Sequence, residues 1–352
     1  MNSPLVSVVI PFTRYESEFH EALSSVFSQE SENFEVVLVD NHSTPNSRMI
    51  AESWRIRYPD YIRIVREEIK GAVSARNRGI LESRGEFIAL LDSDDRMKPD
   101  RLKVQLEEIR KDDDIVLVGS WYDEISPDGK FTLRTDTKPA IPRWWTILFG
   151  ADPVVRGNPF YEPQTSTFFF RSSVARKVGM FDRRFDPFWL EDTDFVFRMS
   201  QAGKIKIVPR SLVEYRTHPQ SDSLRRIFDF GLIRKHDLFF SILRDKYYRE
   251  ENKKSRKAFA KLQSRWMRET GAKLLAMRKG EELGKFLISK ALSRNPLDFQ
   301  SLEAFVRIRL PRRFYPRAFG IRSSVDFPLP PEVDREWVDS LFSLDKKKPS
   351  VS

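Results

Sequence analysis

Two acidic clusters carry the most chemistry in this sequence. Asp92-Ser93-Asp94-Asp95 follows the apolar run Glu86-Phe87-Ile88-Ala89-Leu90-Leu91, and Glu191-Asp192-Thr193-Asp194 follows the aromatic stretch ending Trp189-Leu190. Three carboxylates packed into four residues repel one another, so a cation is expected to offset them. The chain has no cysteine, so such a cation is held by oxygen or imidazole. Hard divalent ions, Mg²⁺ or Mn²⁺, suit that donor set, and Mg²⁺ typically takes one or two protein carboxylates together with substrate phosphates. The alternative is a solvated acidic loop capping a helix at Met97. In the second cluster the acids open an apparent helix, where a carboxylate can simply cap the first turn. It can equally serve as a general base that takes the proton of an attacking hydroxyl, provided both clusters reach one cleft.

Cations and amides flank these clusters in the sequence. Arg76 and Asn77 lie in the glycine-bounded segment Gly71 to Gly79, and a guanidinium fork suits phosphate recognition. An ordinary helix with surface arginines is the competing reading. His218, in Glu214-Tyr215-Arg216-Thr217-His218, is a candidate metal ligand against the commoner structural histidine.

The elements that must position these groups are legible from periodicity. Val6 to Pro11 and Phe34 to Asp40 are nearly continuous apolar runs, as in strands buried on both faces of a parallel sheet. Phe19, Leu23, Val26 and Phe27 share a helical stripe between them. The alternation predicts a helix over 46–57, a strand over 61–65, a helix over 72–83 and a strand over 86–91. Next comes a helix carrying Leu102, Leu106 and Ile109 with Pro99 at its first turn, and a strand over Ile115 to Trp121. Ser126-Pro127-Asp128-Gly129 reads as a hairpin turn leading to Phe131 and Leu133. This rhythm predicts an α/β fold, doubly wound with a Rossmann-like mixed sheet. Such sheets bind ligands at the carboxyl ends of their strands, where Asp40 and Asp92 stand. The proline- and aromatic-rich stretch at 135–165 is expected to wall an acceptor cleft.

After about residue 225 strand signals give way to charged helical patterns, so a catalytic domain over 1–224 and a basic helical region over 225–352 are predicted. Residues 251–290 hold twelve Lys or Arg against four Glu, while the chain as a whole carries +10. Phe259, Leu262 and Trp266 form an apolar stripe among bases that include Lys253, Lys254, Arg256 and Lys257. The expected partner of this region is an anionic membrane surface, bound peripherally, with no nucleic acid expected and a solvated helical face as the plain alternative. No apolar run approaches the ~18 residues that cross a bilayer, and the N-terminus lacks a secretory signal pattern. The expected location is cytoplasmic, peripheral at the inner face of the membrane.

Taken together, residues 5–220 resemble glycosyltransferase family 2, whose members share the GT-A fold. Val6 to Pro11 is similar to the family's opening strand, with Pro11 at its donor-side end. Asp40 matches its nucleotide-contacting aspartate, Ala75-Arg76-Asn77 its ARN segment, Asp92-Ser93-Asp94 its DxD motif, and Glu191-Asp192 its ED motif. The resemblance implies a nucleotide-diphospho-sugar donor, UDP-sugar favoured, and a divalent metal, Mn²⁺ or Mg²⁺. It implies that Asp40 meets the base and that Asp92, Ser93 and Asp94 serve ribose, diphosphate and metal. Asp192 would be the catalytic base, supported by Glu191 and Arg198, with His218 a further metal ligand. Asn41 departs from the family, many members having a second aspartate there. Gln263-Ser264-Arg265-Trp266 is one residue too short for the QxxRW motif of processive members, so addition of a single sugar is expected, with inversion, to a glycan, lipid-linked or protein acceptor. Two alternatives stand beside this reading. A sugar nucleotidyltransferase would place a glycine-rich loop after the first strand, and Pro11-Phe12-Thr13-Arg14-Tyr15 has none. A catalytically inactive binding module recruited through its basic tail is the other.

Overall fold

The computed structural model describes residues 4–14, 16–31, 33–135, 164–188, 191–217, 242, 245, 253–275, 281–297 and 299–309. These fall into two compact units, one holding the described residues through Thr217 and the other those from Ile242 onward.

In the first unit the predicted alternation is realised: β1 (Val6–Phe12), α1 (Glu16–Phe27), β2 (Phe34–Asp40), α2 (Pro45–Arg57), β3 (Ile62–Arg66), α3 (Ala72–Glu82) and β4 (Phe87–Leu90). Then follow β5 (Arg96–Met97), α4 (Arg101–Ile109), β6 (Ile115–Ile125), β7 (Phe131–Thr135), β8 (Phe169–Arg171), α5 (Ser172–Lys177), α6 (Glu191–Ala202) and β9 (Lys204–Arg216). The sheet runs β3-β2-β1-β4-β8-β6-β9-β5, with β7 paired to β6. The first four strands are mutually parallel, β8 is antiparallel to both of its neighbours, and β9 returns parallel to β6. The fold is therefore α/β with a mixed sheet, as predicted.

Apolar burial explains this arrangement. Every residue of β2 is buried, and on α1 the side chains of Phe19, Leu23 and Val26 are removed from water, each stabilising the unit by about 1.5–3 kcal/mol. Helix α3 lies so close to β1 that a Cβ on Gly79 would come within 2.2 Å of Val9 Cγ1; only glycine permits that approach.

Two local expectations change. Pro99 does not open α4, which begins at Arg101, because Arg96 and Met97 pair with Glu214 and Val213 and hold the chain extended first. The same pairing removes the alternative of a helix capped at Met97. The hairpin at Ser126–Gly129 forms as predicted, with β7 antiparallel to β6.

The second unit contains α7 (Lys253–Leu275), α8 (Glu281–Arg294) and α9 (Phe299–Arg307). Helices α7 and α8 cross at a pair of glycines: a Cβ on Gly271 would meet the Gly284 carbonyl oxygen at 2.8 Å, and one on Gly284 the Gly271 oxygen at 2.6 Å. Leu275, Ile288, Ala304 and Ile308 fill the core between the three helices. No helix among the described residues is long and apolar enough to cross a membrane. The side chains of Phe259, Leu262 and Trp266, and the expected boundary at 224, lie outside the described residues.

Candidate active site

Parallel pairing brings three strand ends level. Phe12 is the register partner of Asp40, and Val9 that of Leu90, two residues before Asp92. Pro11, Asp40 and the 92–95 segment therefore share the carboxyl edge of the sheet, where loops and helix starts can reach a ligand.

Asp40 is buried and accepts the backbone N–H of Ser43 at 2.9 Å, with Arg48 at 3.8 Å. Its neighbour Asn41 donates to the carbonyls of Glu67 and Ile69 and accepts the N–H of Gly71. An aspartate could not make the two donations. Asn41 thus fixes the loop that leads into α3, which gives its departure from the family pattern a structural reason.

Along residues 92–95 exposure alternates: Asp92 and Asp94 are partly exposed, while Ser93 and Asp95 are buried. Asp95 faces inward. It accepts the Ser166 hydroxyl at 2.5 Å and the Arg216 backbone N–H at 2.8 Å. Burial, and then the charges of Asp94 and Asp92, push its carboxyl well above the ordinary carboxylate range, against the pull of those two hydrogen bonds. Ser166 in turn accepts the Asp92 N–H at 3.0 Å, and the Arg216 guanidinium donates to the Asp94 carbonyl at 2.9 Å and to Glu21 at 2.5 Å. Behind this layer Arg101 is fully buried and donates to Gln105 and to the carbonyls of Leu90 and Phe168. Burial brings its pKa down to about 9 despite the opposing pull of Asp95. Asp95, Ser166 and Arg216 thus shape the segment that presents Asp92 and Asp94. No motif marks Ser166 or Arg216 in the sequence.

The two acidic clusters meet at Arg76. Its guanidinium donates to both Asp92 oxygens, at 2.9 and 3.1 Å, and to Glu191 at 3.3 Å. Burial alone would lower its pKa, but the charges of Asp92 and Glu191, and more weakly of Asp192, hold it above the ordinary arginine value. The start of α6 is delivered there by a chain of brackets. Asn77 exchanges two hydrogen bonds with the backbone of Phe181, at 2.8 and 2.9 Å. Arg176 donates to the carbonyls of Ile80 and Ser83. Arg198 pairs with Asp194 at 2.7 Å and donates to the carbonyls of Val178 and Met180. Arg198 and Asn77 are therefore seen orienting α6 and α3. His218, Trp189 and Leu190 lie outside the described residues.

Replacing Arg76 with Met is expected to cost about 2–4 kcal/mol of stability in urea unfolding, because Asp92 and Glu191, 30% and 13% exposed, would lose their shared counter-charge. An unchanged unfolding midpoint would remove Arg76 as the link between the clusters.

For a divalent ion the described donors are few. No group of three or more His, Cys, Asp or Glu side chains gathers among the described residues. Asp94 is partly exposed at the strand end, and Asp92 is spanned by Arg76. This set fits an ion of the Mg²⁺ or Mn²⁺ kind that draws most of its remaining oxygens from a bound diphosphate and water.

Comparison with known proteins agrees with this geometry. Residues 7–179 match Glycosyl transferase family 2. Over 214 residues the chain is 30% identical to an uncharacterized glycosyltransferase of Nostoc sp., covering 60% of this chain and 65% of that protein. Over 242 residues it is 29% identical to the putative glycosyltransferase EpsH of Bacillus subtilis, covering 66% and 67%. The match to the Nostoc protein thus spans somewhat less than two thirds of its length. Among solved structures, S. aureus TarS 1-349 in complex with UDP-GlcNAc superposes with a TM-score of 0.54 at 15% identity, covering 89% of this chain and 92% of that one; this shows a shared fold. With the strand-end aspartates and the Arg76 link in place, the match identifies residues 7–179 as a family 2 glycosyltransferase domain.

Proposed function

We propose that this enzyme transfers a single sugar from a nucleotide-diphospho-sugar, a UDP-sugar first, to the hydroxyl of a glycan, lipid-linked or protein acceptor, with inversion at the anomeric carbon and catalysis housed in residues 1–224. The observation that carries the proposal is Arg76 pairing with both Asp92 and Glu191, which supports a reading in which Asp92 and the acid pair of α6 serve one substrate.

In this reading Asp40, at the end of β2, meets the nucleotide base, beside Pro11. Asp92 and Ser93 belong to the ribose and diphosphate side, with Arg76 and Asn77 setting the frame. Asp94, with Asp92, would hold a Mn²⁺ or Mg²⁺ ion, with His218 as a further ligand; that ion would offset the charge of the departing diphosphate. Asp192, one residue into α6, takes the proton of the acceptor hydroxyl. The freed oxygen bonds the anomeric carbon as the bond to the diphosphate oxygen breaks, so one displacement inverts the centre and no covalent enzyme intermediate is required. Glu191, neutralised by Arg76, keeps its neighbour's carboxylate the available base.

The test is a donor panel. With Mn²⁺ present, the purified chain is expected to release UDP from a UDP-sugar, and proton NMR of the product to show the opposite anomeric configuration from the donor. Release of pyrophosphate from a nucleoside triphosphate and a sugar phosphate would make it a nucleotidyltransferase. Binding of UDP without release from any of the UDP-, GDP- or dTDP-sugars would make it an inactive binding module.

A further inference from the structure

The second unit is unusual in where it places both its charge and its apolar side chains. Residues 253–309 hold 15 Lys or Arg against five Asp or Glu, which equals the whole net charge of +10 of the chain. Lys257, Lys261 and Arg309 are exposed within it.

Helix α9 is apolar on two opposite sides. At ~100° per residue, Ser301, Ala304 and Ile308 fall on one side and are buried, Ala304 and Ile308 in the core with Leu275 and Ile288. Phe299, Leu302 and Val306 fall together on the other side and point to solvent, 75%, 44% and 57% exposed, continued by Leu297 at 96%. A surface helix normally turns polar residues outward, and clustered exposed apolar side chains mark a contact surface. The charges beside this stripe are mixed in sign, with Asp298 between Leu297 and Phe299 in the sequence. Glu303 is ion-paired to Arg307, and Arg309 lies over the Phe305 ring at 3.8 Å on the far flank.

We infer that the outward face of α9, made by Phe299, Leu302 and Val306 and extended by Leu297 just before the helix, inserts into the interfacial region of an anionic lipid surface, with the bases of its unit supplying the attraction. An apolar stripe set among bases is the pattern of a helix that lies in the interface plane. Each basic residue near such a surface contributes about 1 kcal/mol. The charge also decides against a second copy of the chain: two units of this sign would repel as they approached. A nucleic acid would use the bases and leave the stripe idle. This assigns the membrane contact expected from the sequence to a different helix from the one carrying Phe259 and Trp266. It bears on the proposed function by naming the surface that would supply a lipid-linked acceptor.

Vesicle flotation of the full chain, without donor or acceptor, tests it separately from catalysis. At low salt the protein is expected to float with phosphatidylcholine vesicles containing phosphatidylglycerol and not with phosphatidylcholine alone. The triple variant Phe299→Ser, Leu302→Ser, Val306→Ser is expected to lose that binding by ~10-fold or more, with unchanged Tm, unchanged mass in solution and unchanged transfer to a soluble acceptor. Because the chain has no cysteine, Leu302→Cys can carry a single environment-sensitive fluorophore. Its emission is expected to shift blue on adding the anionic vesicles, while the same label at Ile56→Cys on α2 stays silent. The inference is overturned if the wild type ignores anionic vesicles or the triple variant binds them equally. A fall in Tm in that variant would show the stripe covered by another part of the chain, and a fall in mass would show it buried between copies; either result also overturns it. Loss of UDP release with vesicle binding intact would count against the transferase reading alone.

Discussion

An Asp192→Asn variant is expected to transfer sugar ~10² to 10⁴ times more slowly than the wild type while binding the donor with unchanged affinity, the usual range for losing a general base. Asparagine keeps the size and polarity of the side chain but cannot accept the acceptor proton. Asp192 is the second residue of α6, and its charge reaches Arg76, so it stands beside the link between the clusters without being its chief partner. That separation makes the result specific. Loss of Glu191 would disturb the Arg76 frame and therefore stability, whereas Asp192→Asn leaves both Arg76 contacts with Asp92 and Glu191 in place. The comparison is a kcat measurement at saturating donor alongside calorimetry of UDP binding. Near-normal turnover would end the assignment of Asp192 as the base. A matching loss of donor affinity would move it to the donor side.

Asp94→Ala is expected to abolish metal-dependent binding of UDP, because the described residues offer few ligands for a divalent ion and this substitution removes one of them with its charge. The effect should be confined to that binding. Asp94 keeps its place through its backbone carbonyl, which accepts from Arg216, and alanine preserves that carbonyl. The segment is therefore expected to hold its shape, and the unfolding free energy to stay within about 1 kcal/mol of wild type, since the substitution also removes a charge that crowds buried Asp95. Calorimetry with and without Mn²⁺ separates the outcomes. Unchanged UDP affinity in the presence of Mn²⁺ would take Asp94 out of the site, and a large loss of stability would mean that its side chain is structural.

Much of this was legible in the sequence, for a physical reason. Strand and helix periods of 2 and 3.6 are local properties, so apolar runs such as Phe34 to Asp40 and the stripe of Phe19, Leu23 and Val26 declare their elements without reference to the rest of the chain. Polar residues directly after a buried strand must lie at its end, which is why Asp40 and the 92–95 cluster could be placed at the carboxyl edge of a doubly wound sheet, and why the family resemblance attached to them. What tertiary structure decided is how those residues are held. Ser166 reaches Asp92 across 74 residues and Arg216 reaches Asp95 across 121, and neither pairing leaves a periodic trace. Sequence shows four acidic and polar residues in a row; only the register of β4 against β8, and of β5 against β9, turns Asp95 inward and leaves Asp92 and Asp94 facing outward. Arg76 reads from sequence as a phosphate fork, yet folding spends it on two carboxylates, one of them 115 residues away. A charge's partner is set by which strand ends and helix starts converge, and that is a property of the packed fold.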